Sequence, residues 1–468
     1  MIKIFNTLSG KKEKLVKPKG RALRLFVCGP TVYDEPHIGN ARTFMAFDII
    51  VRYLRSENYK IFYLQNITDI DDKILARAKE EKTSWQAVAK KYEKIFYKNL
   101  KDLSISSVDK FVRATDYIPE IIKQVKALIK KGNAYKIPGD GWYFDLKTFP
   151  DYGKLAHRTV GQAEDGISRI DASVQKRNAG DFSLWKFSKE NEPMWKSDLG
   201  NGRPGWHIED TAISESFFGP QYDLHGGALD LKFPHHEAEI AQQESASGKK
   251  PFVKIWLHAG FLDVNGQKMS KSLGNFITIQ QFLEKYPAEI FRMMVLAHYY
   301  RSPMNYTETL AKQTKNSLQN LNNFLNRLNL INKSGAVSKE TKILIKKSEA
   351  NFQLAVEDDF NTPEALAAIF NLINNLEPTV WSLTKNEAGE ISDSIVKKMA
   401  IFGINLKKTG QIPAKIKQMA KKRELFRTHK QFAQSDVLRK EIEGLGFTIE
   451  DTPAGPLVLS NQQPTTND

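Results

Sequence analysis

The 468-residue chain carries 69 Lys plus Arg against 54 Asp plus Glu, a formal charge of +15, with 41% hydrophobic and 26% charged side chains. That balance belongs to a globular protein, and at roughly 100 to 200 residues per domain the length predicts about three or four domains, which excludes a single small binding module. One cysteine, Cys28, excludes an internal disulfide framework and fits a reducing compartment. Met1 to Gly20 is basic but lacks a signal peptide's apolar centre, and no apolar run reaches the roughly 20 residues that span a bilayer, so a soluble, cytoplasmic protein is expected. The excess of positive charge favours a polyanionic partner such as nucleic acid.

Arg24 to Cys28 reads as an apolar strand, Gly29-Pro30 as a turn, Asn40 to Arg55 as an amphipathic helix and Lys60 to Asn66 as a second strand. This βαβ unit predicts a parallel sheet whose ligands bind beyond the carboxyl ends of its strands, where Cys28 and His37 lie. Asp72 to Gly132 is helical in pattern and Lys-rich. Tyr135 to Asp145 alternates around Gly139-Asp140-Gly141 like a hairpin, so an inserted subdomain is expected. Gly180 to Gly205, with Trp185 and Trp195 among polar and Pro/Gly residues, reads as loops. Apolar strand-like sequence returns at Phe252 to Phe261, as if the first fold resumes near residue 205. Leu310 to Asn332, Glu340 to Glu357 and Thr362 to Trp381 then predict a helical bundle. Lys407 to Lys430 sets nine basic residues against Glu424 alone. An Asp436 to Glu443 helix, a strand-like Gly446 to Glu450 and a disordered Ser460 to Asp468 tail complete the reading.

Three constellations are candidates for chemistry, the competing readings of the first two being a capped surface histidine and a solvated basic turn. In the first, Cys28-Gly29-Pro30-Thr31-Val32-Tyr33 precedes Pro36-His37-Ile38-Gly39-Asn40 at a helix start. Backbone N–H groups there attract phosphate, His37 can donate to a phosphoryl oxygen, and Gly39 admits close approach of a nucleotide. The second, Lys268-Met269-Ser270-Lys271-Ser272, puts two ammonium groups on one loop, as charge stabilisation of phosphoryl or nucleotidyl transfer requires. The third is Phe233-Pro234-His235-His236-Glu237-Ala238-Glu239. On a helix, His235 and Glu239 share a face and can share a metal ion, whereas His236 and Glu237 point elsewhere; a plain surface pair is the competing reading. Trp206, in Gly205 to Ala212, offers an apolar wall. Asp230, after Gly226-Gly227, suits a ribose hydroxyl or an ammonium group.

Together with Asn66-Ile67-Thr68-Asp69-Ile70-Asp71-Asp72-Lys73, Gly205-Trp206-His207-Ile208-Glu209 and Asp358-Asp359-Phe360-Asn361-Thr362-Pro363, these motifs closely resemble cysteinyl-tRNA synthetases of the class I group over nearly the whole chain. The resemblance implies an α/β Rossmann-type catalytic domain with an inserted connective peptide, followed by an α-helical bundle and a small anticodon-binding domain. The expected boundaries are 1–115 and 205–260 for the two catalytic halves, 116–204 for the insertion, 261–315 for the Lys-Met-Ser-Lys-Ser loop and stem-contact region, 316–403 for the bundle, and 404–468 for the anticodon domain and tail. It implies activation of L-cysteine by ATP to cysteinyl-adenylate and transfer to the terminal adenosine of tRNA(Cys), in a monomer.

By the same resemblance His37, Lys268 and Lys271 are the catalytic groups; His37, Gly39, Asn40, Lys268, Ser270 and Lys271 bind ATP; and Cys28, Gly29, Thr31, Thr68, Trp206 and Asp230 surround the amino acid. Mg²⁺ accompanies ATP. One Zn²⁺, which distinguishes thiol from hydroxyl, is assigned to Cys28, Asp210, His235 and Glu239. Asp210 stands where the family usually has a second cysteine, Asn40 replaces the second His of the signature, and Ala228 replaces a third glycine. Arg427, Asp436 and Asp451 are assigned to the anticodon and the basic Lys407 to Lys430 stretch to backbone phosphate. Two rivals are a cysteine ligase acting on an amino sugar, which lacks the full carboxyl-terminal tail, and a degenerate RNA-binding paralogue, which would not need His37, Lys268 and Lys271.

Overall fold

The computed structural model describes residues 1–158, 175–190, 192–270, 273–406 and 412–460. They form two compact units, Met1–Phe282 with Tyr300–Asn305, and Leu283–Tyr299 with Tyr306–Asp468.

In the first unit a small hairpin, β1 (Lys3–Asn6) with β2 (Lys11–Lys14), precedes β3 (Leu23–Val27), helix α1 (Ile38–Ser56) and β4 (Ile61–Ile67). Helices α2 (Asp72–Glu80) and α3 (Trp85–Asp102) lead to β5 (Lys110–Arg113), a strand inside the stretch expected to be helical. After α4 (Ile118–Lys130) comes an antiparallel sheet of β6 (Ala134–Ile137), β7 (Gly141–Phe144), β8 (Phe182–Phe187) and β9 (Gly202–Pro204), in that order. Strand β8 corrects the loop reading of Gly180 to Gly205. Phe182, Ser183, Leu184 and Trp185 are all buried, so the strand has no polar face and no alternation to betray it.

Helix α5 (Ile208–Phe218), β10 (Tyr222–Ala228), α6 (His235–Ser247) and β11 (Val253–Ala259) complete the central layer. The main sheet runs β11-β10-β3-β4-β5, parallel throughout. Successive strands run outward in one direction from β3 and in the other from β10, so the order reverses between these neighbours. A crevice opens at such a switch point beyond the carboxyl ends, where Cys28 and Ala228 emerge side by side. Phe26, Leu64, Val112, Leu184, Ile213 and Trp256 belong to one core beneath it. A second small sheet, β13 (Gln267–Lys268), β12 (Leu262–Val264) and β14 (Met304–Tyr306), carries the loop that follows β13, and α7 (Ile279–Lys285) follows that loop.

The second unit is mainly helical: α8 (Ala288–Leu296), α9 (Glu308–Leu330), α10 (Lys339–Glu357), α11 (Thr362–Leu376) and α12 (Lys385–Ile401). Helix α12 lies beyond the last bundle helix read from sequence. Two further helices, α13 (Ala414–Thr428) and α14 (Phe432–Gly444), pack with the hairpin β15 (Phe447–Thr452) and β16 (Gly455–Ser460) around Ile416, Ala420, Ile442, Ile449 and Val458. The predicted disordered tail falls, from residue 461, outside the described residues, as do residues 407–411 of the basic stretch. No helix among the described residues is long and apolar enough to cross a membrane.

The sheet accepts α1 at one backbone position in particular. A Cβ on Gly226 of β10 would lie 2.3 Å from Phe47 Cε1 of α1, closer than packed carbons approach. Gly226→Ala is therefore expected to lower stability by about 1–3 kcal/mol through overpacking. Adding Phe47→Leu, which removes the opposing ring atoms, should recover part of the loss in the denaturation midpoint; no recovery would mean that the glycine is needed for another reason.

Candidate active site and metal centre

A cleft of about 580 Å³ opens at the switch point. One end of it is built on the entry to α1. His37 is the N-cap residue: its Nδ1 accepts from the backbone N–H of Gly39 at 3.1 Å and of Asn40 at 3.3 Å, while Asn40 Oδ1 accepts from His37 N–H at 3.1 Å. The cap is reciprocal, so Asn40 keeps a structural task although it is not a histidine. With Nδ1 accepting, the neutral ring carries its proton on Nε2 and presents an N–H donor. Burial lowers the His37 pKa to about 4 against the opposing charges of Asp230 and Asp34. The ring is thus neutral near pH 7.

The loop after β13 is seated against this helix start. Ile38 N–H donates to Ile277 O and Ile279 N–H to Pro36 O, each at 3.0 Å, and the Phe276 ring meets His37 edge-on at 5.1 Å. The Met269 methyl lies over Gly39, where an added Cβ would come within 2.8 Å of it. Asn275 clasps the loop base, accepting from Ser270 N–H at 2.8 Å and donating to Lys268 O at 3.2 Å. Met269 and Ser270 line the cleft, whereas Lys268 is exposed outside its lining. Lys271 and Ser272 lie outside the described residues.

At the other end Cys28, Gly29, Thr31, Thr68, Trp206, Asp210, Asp230 and His235 line the same cleft. Gly29 has no room for a side chain, since a Cβ would sit 1.7 Å from Asn66 O. Trp206 stacks on His235 at 4.5 Å between ring centres. His235 Nε2 lies 2.9 Å from Asp210 Oδ2 and 3.0 Å from Glu239 Oε1, and Cys28 Sγ lies 3.7 Å from that same Glu239 oxygen. One donor atom from each of Cys28, Asp210, His235 and Glu239 fits within 4.8 Å of all the others. The spacing of His235 and Glu239 follows from one turn of α6.

These groups are short of positive charge. Burial, then the charges of Glu239 and Asp210, push the Cys28 thiol well up. Burial would discharge His235, but hydrogen bonds to Asp210 and Glu239 outweigh it and hold the imidazolium. Glu209 is raised by burial and by Asp210. Among the described residues no Lys or Arg pairs with Asp210 or Glu239; their ion-pair partners are histidines. A buried thiol, imidazole and two carboxylates converging on one point, with no Lys or Arg paired to them among the described residues, are the donor set that a divalent metal fits.

The residues placed here include several that sequence reasoning missed. Asn66 donates to Asp210 Oδ1 at 2.5 Å and accepts from Gly29 N–H at 2.6 Å, and Thr68 donates to Glu209. His236, expected to point elsewhere, has Nε2 3.2 Å from Cys28 Sγ, and His225 Nε2 is 3.3 Å from the same sulfur. A helix buried on every side has no face directed to solvent, and α6 is buried from His235 through Glu244. Glu237 does turn away, accepting from Gly153 and Ala156 N–H at 3.1 and 2.6 Å.

The family model described as "tRNA synthetases class I (C) catalytic domain" matches residues 14–316, and that of the DALR domain matches 351–407. A cysteine–tRNA ligase of Thermococcus onnurineus is 39% identical over 476 aligned residues, covering 97% of this chain and 98% of that protein. One from Thermococcus gammatolerans is 39% identical with the same coverage. The chain belongs to the cysteine–tRNA ligase family. Its fold is that of class I synthetases: Mycobacterium tuberculosis methionyl-tRNA synthetase in complex with methionyl-adenylate superposes with a TM-score of 0.61 at 16% identity, over 82% of this chain and 89% of that one. The leucyl enzyme agnB2 LeuRS of Agrobacterium radiobacter K84, in a ternary complex with tRNA, gives 0.61 at 12% identity, over 82% and 84%.

In the carboxyl-terminal unit of this ligase-family chain, Asp451 accepts from Arg423 Nη2 and Arg439 Nη2, each at 3.0 Å, and pairs with Arg427. Hydrogen bonding to Arg423 holds its carboxyl below the usual range. Arg427 and Asp451 are thus partners of one another, whereas Asp436 is exposed on α14.

The partly buried His37 gives a direct check. Its imidazole should show no titration between about pH 5.5 and 8 in histidine-resolved NMR, because burial disfavours the charged form, and should protonate only near pH 4. In the unfolded chain the ring protonates near 6.5, so between those values the unfolded state binds more protons and stability falls as pH drops through that window. A His37 midpoint near 6.5 in the folded protein would contradict the geometry.

Proposed function

We propose that the chain charges tRNA(Cys) with L-cysteine in two steps, and that a zinc ion held by Cys28, Asp210, His235 and Glu239 selects the amino acid. Support for the substrates comes from alignment with cysteine–tRNA ligases across 97% of the chain, carboxyl-terminal region included. An amino-sugar ligase lacking that tail fits less well. The observation that carries the zinc reading is the cation-deficient cluster at the cleft wall, three of whose four donors line the cleft.

In the first step the cysteine carboxylate attacks the α-phosphate of ATP in line and pyrophosphate leaves, so no protein nucleophile is required. The entry to α1 positions the nucleotide: Gly39 admits the backbone, its N-terminal dipole favours phosphate, and neutral His37 donates Nε2–H to a non-bridging oxygen. Lys268, Ser270 and Lys271 are assigned to the leaving pyrophosphate, with Mg²⁺ accompanying ATP. Thr31, Thr68 and Trp206 shape the amino-acid end, and Asp230 anchors a hydroxyl or ammonium group. In the second step the terminal adenosine hydroxyl of the tRNA attacks the adenylate. Arg427 and the basic stretch through Lys430 are assigned to the tRNA, with Asp436 and Asp451 beside them.

Serine differs from cysteine by oxygen for sulfur, and shape alone cannot reject so near an isostere. Zinc, when bound, supplies an open position that prefers thiolate to a neutral hydroxyl. Asp210 preserves the charge of the usual thiolate but not its softness. His235 must shed its proton to serve as a ligand, and Cys28 must ionise.

Metal content should therefore fall as pH is lowered, because protons compete for Cys28 and His235. Purified protein should hold close to one zinc per chain near pH 7.5, with Cys28→Ala holding little. Cysteine-dependent exchange between pyrophosphate and ATP should fall about 10²–10³-fold on Lys268→Ala, by loss of charge stabilisation. Zinc-free protein that still prefers cysteine to serine would refute the selection mechanism while leaving the ligase reading intact.

A further inference from the structure

Cys28 belongs to two donor sets. Behind the cleft wall its sulfur lies 3.3 Å from His225 Nε2 and 3.2 Å from His236 Nε2. Glu239 closes this second group, whose four donor atoms also fit within 4.8 Å of one another. His225, His236 and Glu239 are 0% exposed and absent from the cleft lining, so the group is sealed. Cys28 Sγ thus lies 3.2 to 3.7 Å from a donor atom of each of the other three residues, separations that suit a tetrahedral ion with bonds of about 2.0 to 2.3 Å.

The far side of each imidazole is already engaged. His225 Nδ1 is 2.6 Å from the Tyr222 hydroxyl. His236 Nδ1 is 2.9 Å from His258 Nε2, and His258 Nδ1 is 2.8 Å from Thr7 Oγ1. If Thr7 accepts from His258 and His258 in turn from His236, the His236 Nε2 lone pair faces Cys28. Outer partners fix metal-binding histidines in this way. Glu239 supplies the remaining signal: its Oε2 is buried without a hydrogen bond, 3.5 Å from His225 Nδ1, while Oε1 serves His235.

We propose that Cys28, His225, His236 and Glu239 form a second, inner position for zinc or a similar borderline-soft divalent ion. Charge and softness both favour it. A divalent ion with one thiolate, one carboxylate and two neutral imidazoles is neutral overall, whereas the outer set, with a thiolate and two carboxylates, leaves one surplus negative charge in the interior. The inner set also offers two nitrogens where the outer has one and a second oxygen, closer to zinc's preference. The two positions share Cys28 and Glu239, so one ion is divided between them. An ion inside has four protein ligands and no position for an incoming thiol, so this position retains zinc without binding substrate.

The test is the full-length D210A/H235A protein, stripped with chelator and equilibrated with Zn²⁺. It should retain close to one zinc per chain, with a zinc-edge X-ray absorption spectrum fitted by one sulfur and two imidazoles. Adding H225A and H236A should abolish binding. D210N/H235Q, which keeps side-chain size, replaces the double-alanine variant should that one fail to fold. Wild-type protein that binds zinc, beside a folded D210A/H235A or D210N/H235Q that binds none, overturns the inner position while sparing the outer. Wild-type protein that binds no zinc overturns both.

Discussion

Three acidic donors, Cys28, Asp210 and Glu239, meet around one cleft-facing imidazole in the protein interior, and none of the carboxylates has a Lys or Arg partner among the described residues. Buried negative charge must be neutralised by protons or by a cation, and that choice governs the site. With protons, Cys28 is a thiol and His235 a trapped imidazolium. With a divalent ion, both become ligands. The architecture brings the donors together: β3 delivers Cys28, α5 delivers Asp210 and α6 delivers His235 and Glu239 to one point at the reversal of strand order.

The end of the cleft at the start of α1 poses a different electrostatic problem. A transferring phosphoryl group needs donors that do not require a proton taken up from solvent. His37, partly buried and neutral, has Nδ1 committed to the α1 amides, so that Nε2 carries the hydrogen and offers such a donor. Asn40 answers from the other direction by accepting His37 N–H. The substitution in the signature therefore preserves the cap, which sets the orientation of the ring. The strand-like pairing of Pro36 and Ile38 with Ile277 and Ile279 fixes where the chain leaving the Lys268–Ser270 loop meets the helix.

The sequence made one half of this legible. Motif residues at strand ends and helix starts, such as Cys28, His37 and Met269, declare themselves because local geometry forces glycine, a cap or a loop there. The βαβ unit was readable from periodicity for the same reason. Strand β8 was not, since a strand covered on both faces loses the alternation that identifies it. The histidines were hidden more deeply. His225, His236 and His258 lie on a strand, a helix and the next strand, and only the parallel register that sets Gly227 opposite His258 brings them together. Helical spacing separates His236 from His235 correctly on the surface of α6, but the neighbouring strands fill the other side.

Asp210 brings the two halves together. A thiolate at that position would present one sulfur, whereas a carboxylate presents two oxygens, of which Oδ2 faces His235 and Oδ1 needs a separate donor. Asn66 provides it, and its own carbonyl takes the Gly29 N–H one residue beyond Cys28. The same amide thus links the turn after β3 to the carboxylate on α5. Asp at residue 66 would oppose Asp210 with like charge, and an apolar residue would leave Oδ1 buried without a partner. The exchange of sulfur for oxygen is therefore accommodated by a neighbour of matching polarity. What the exchange alters is the softness of the outer donor set relative to the histidine-rich set behind it.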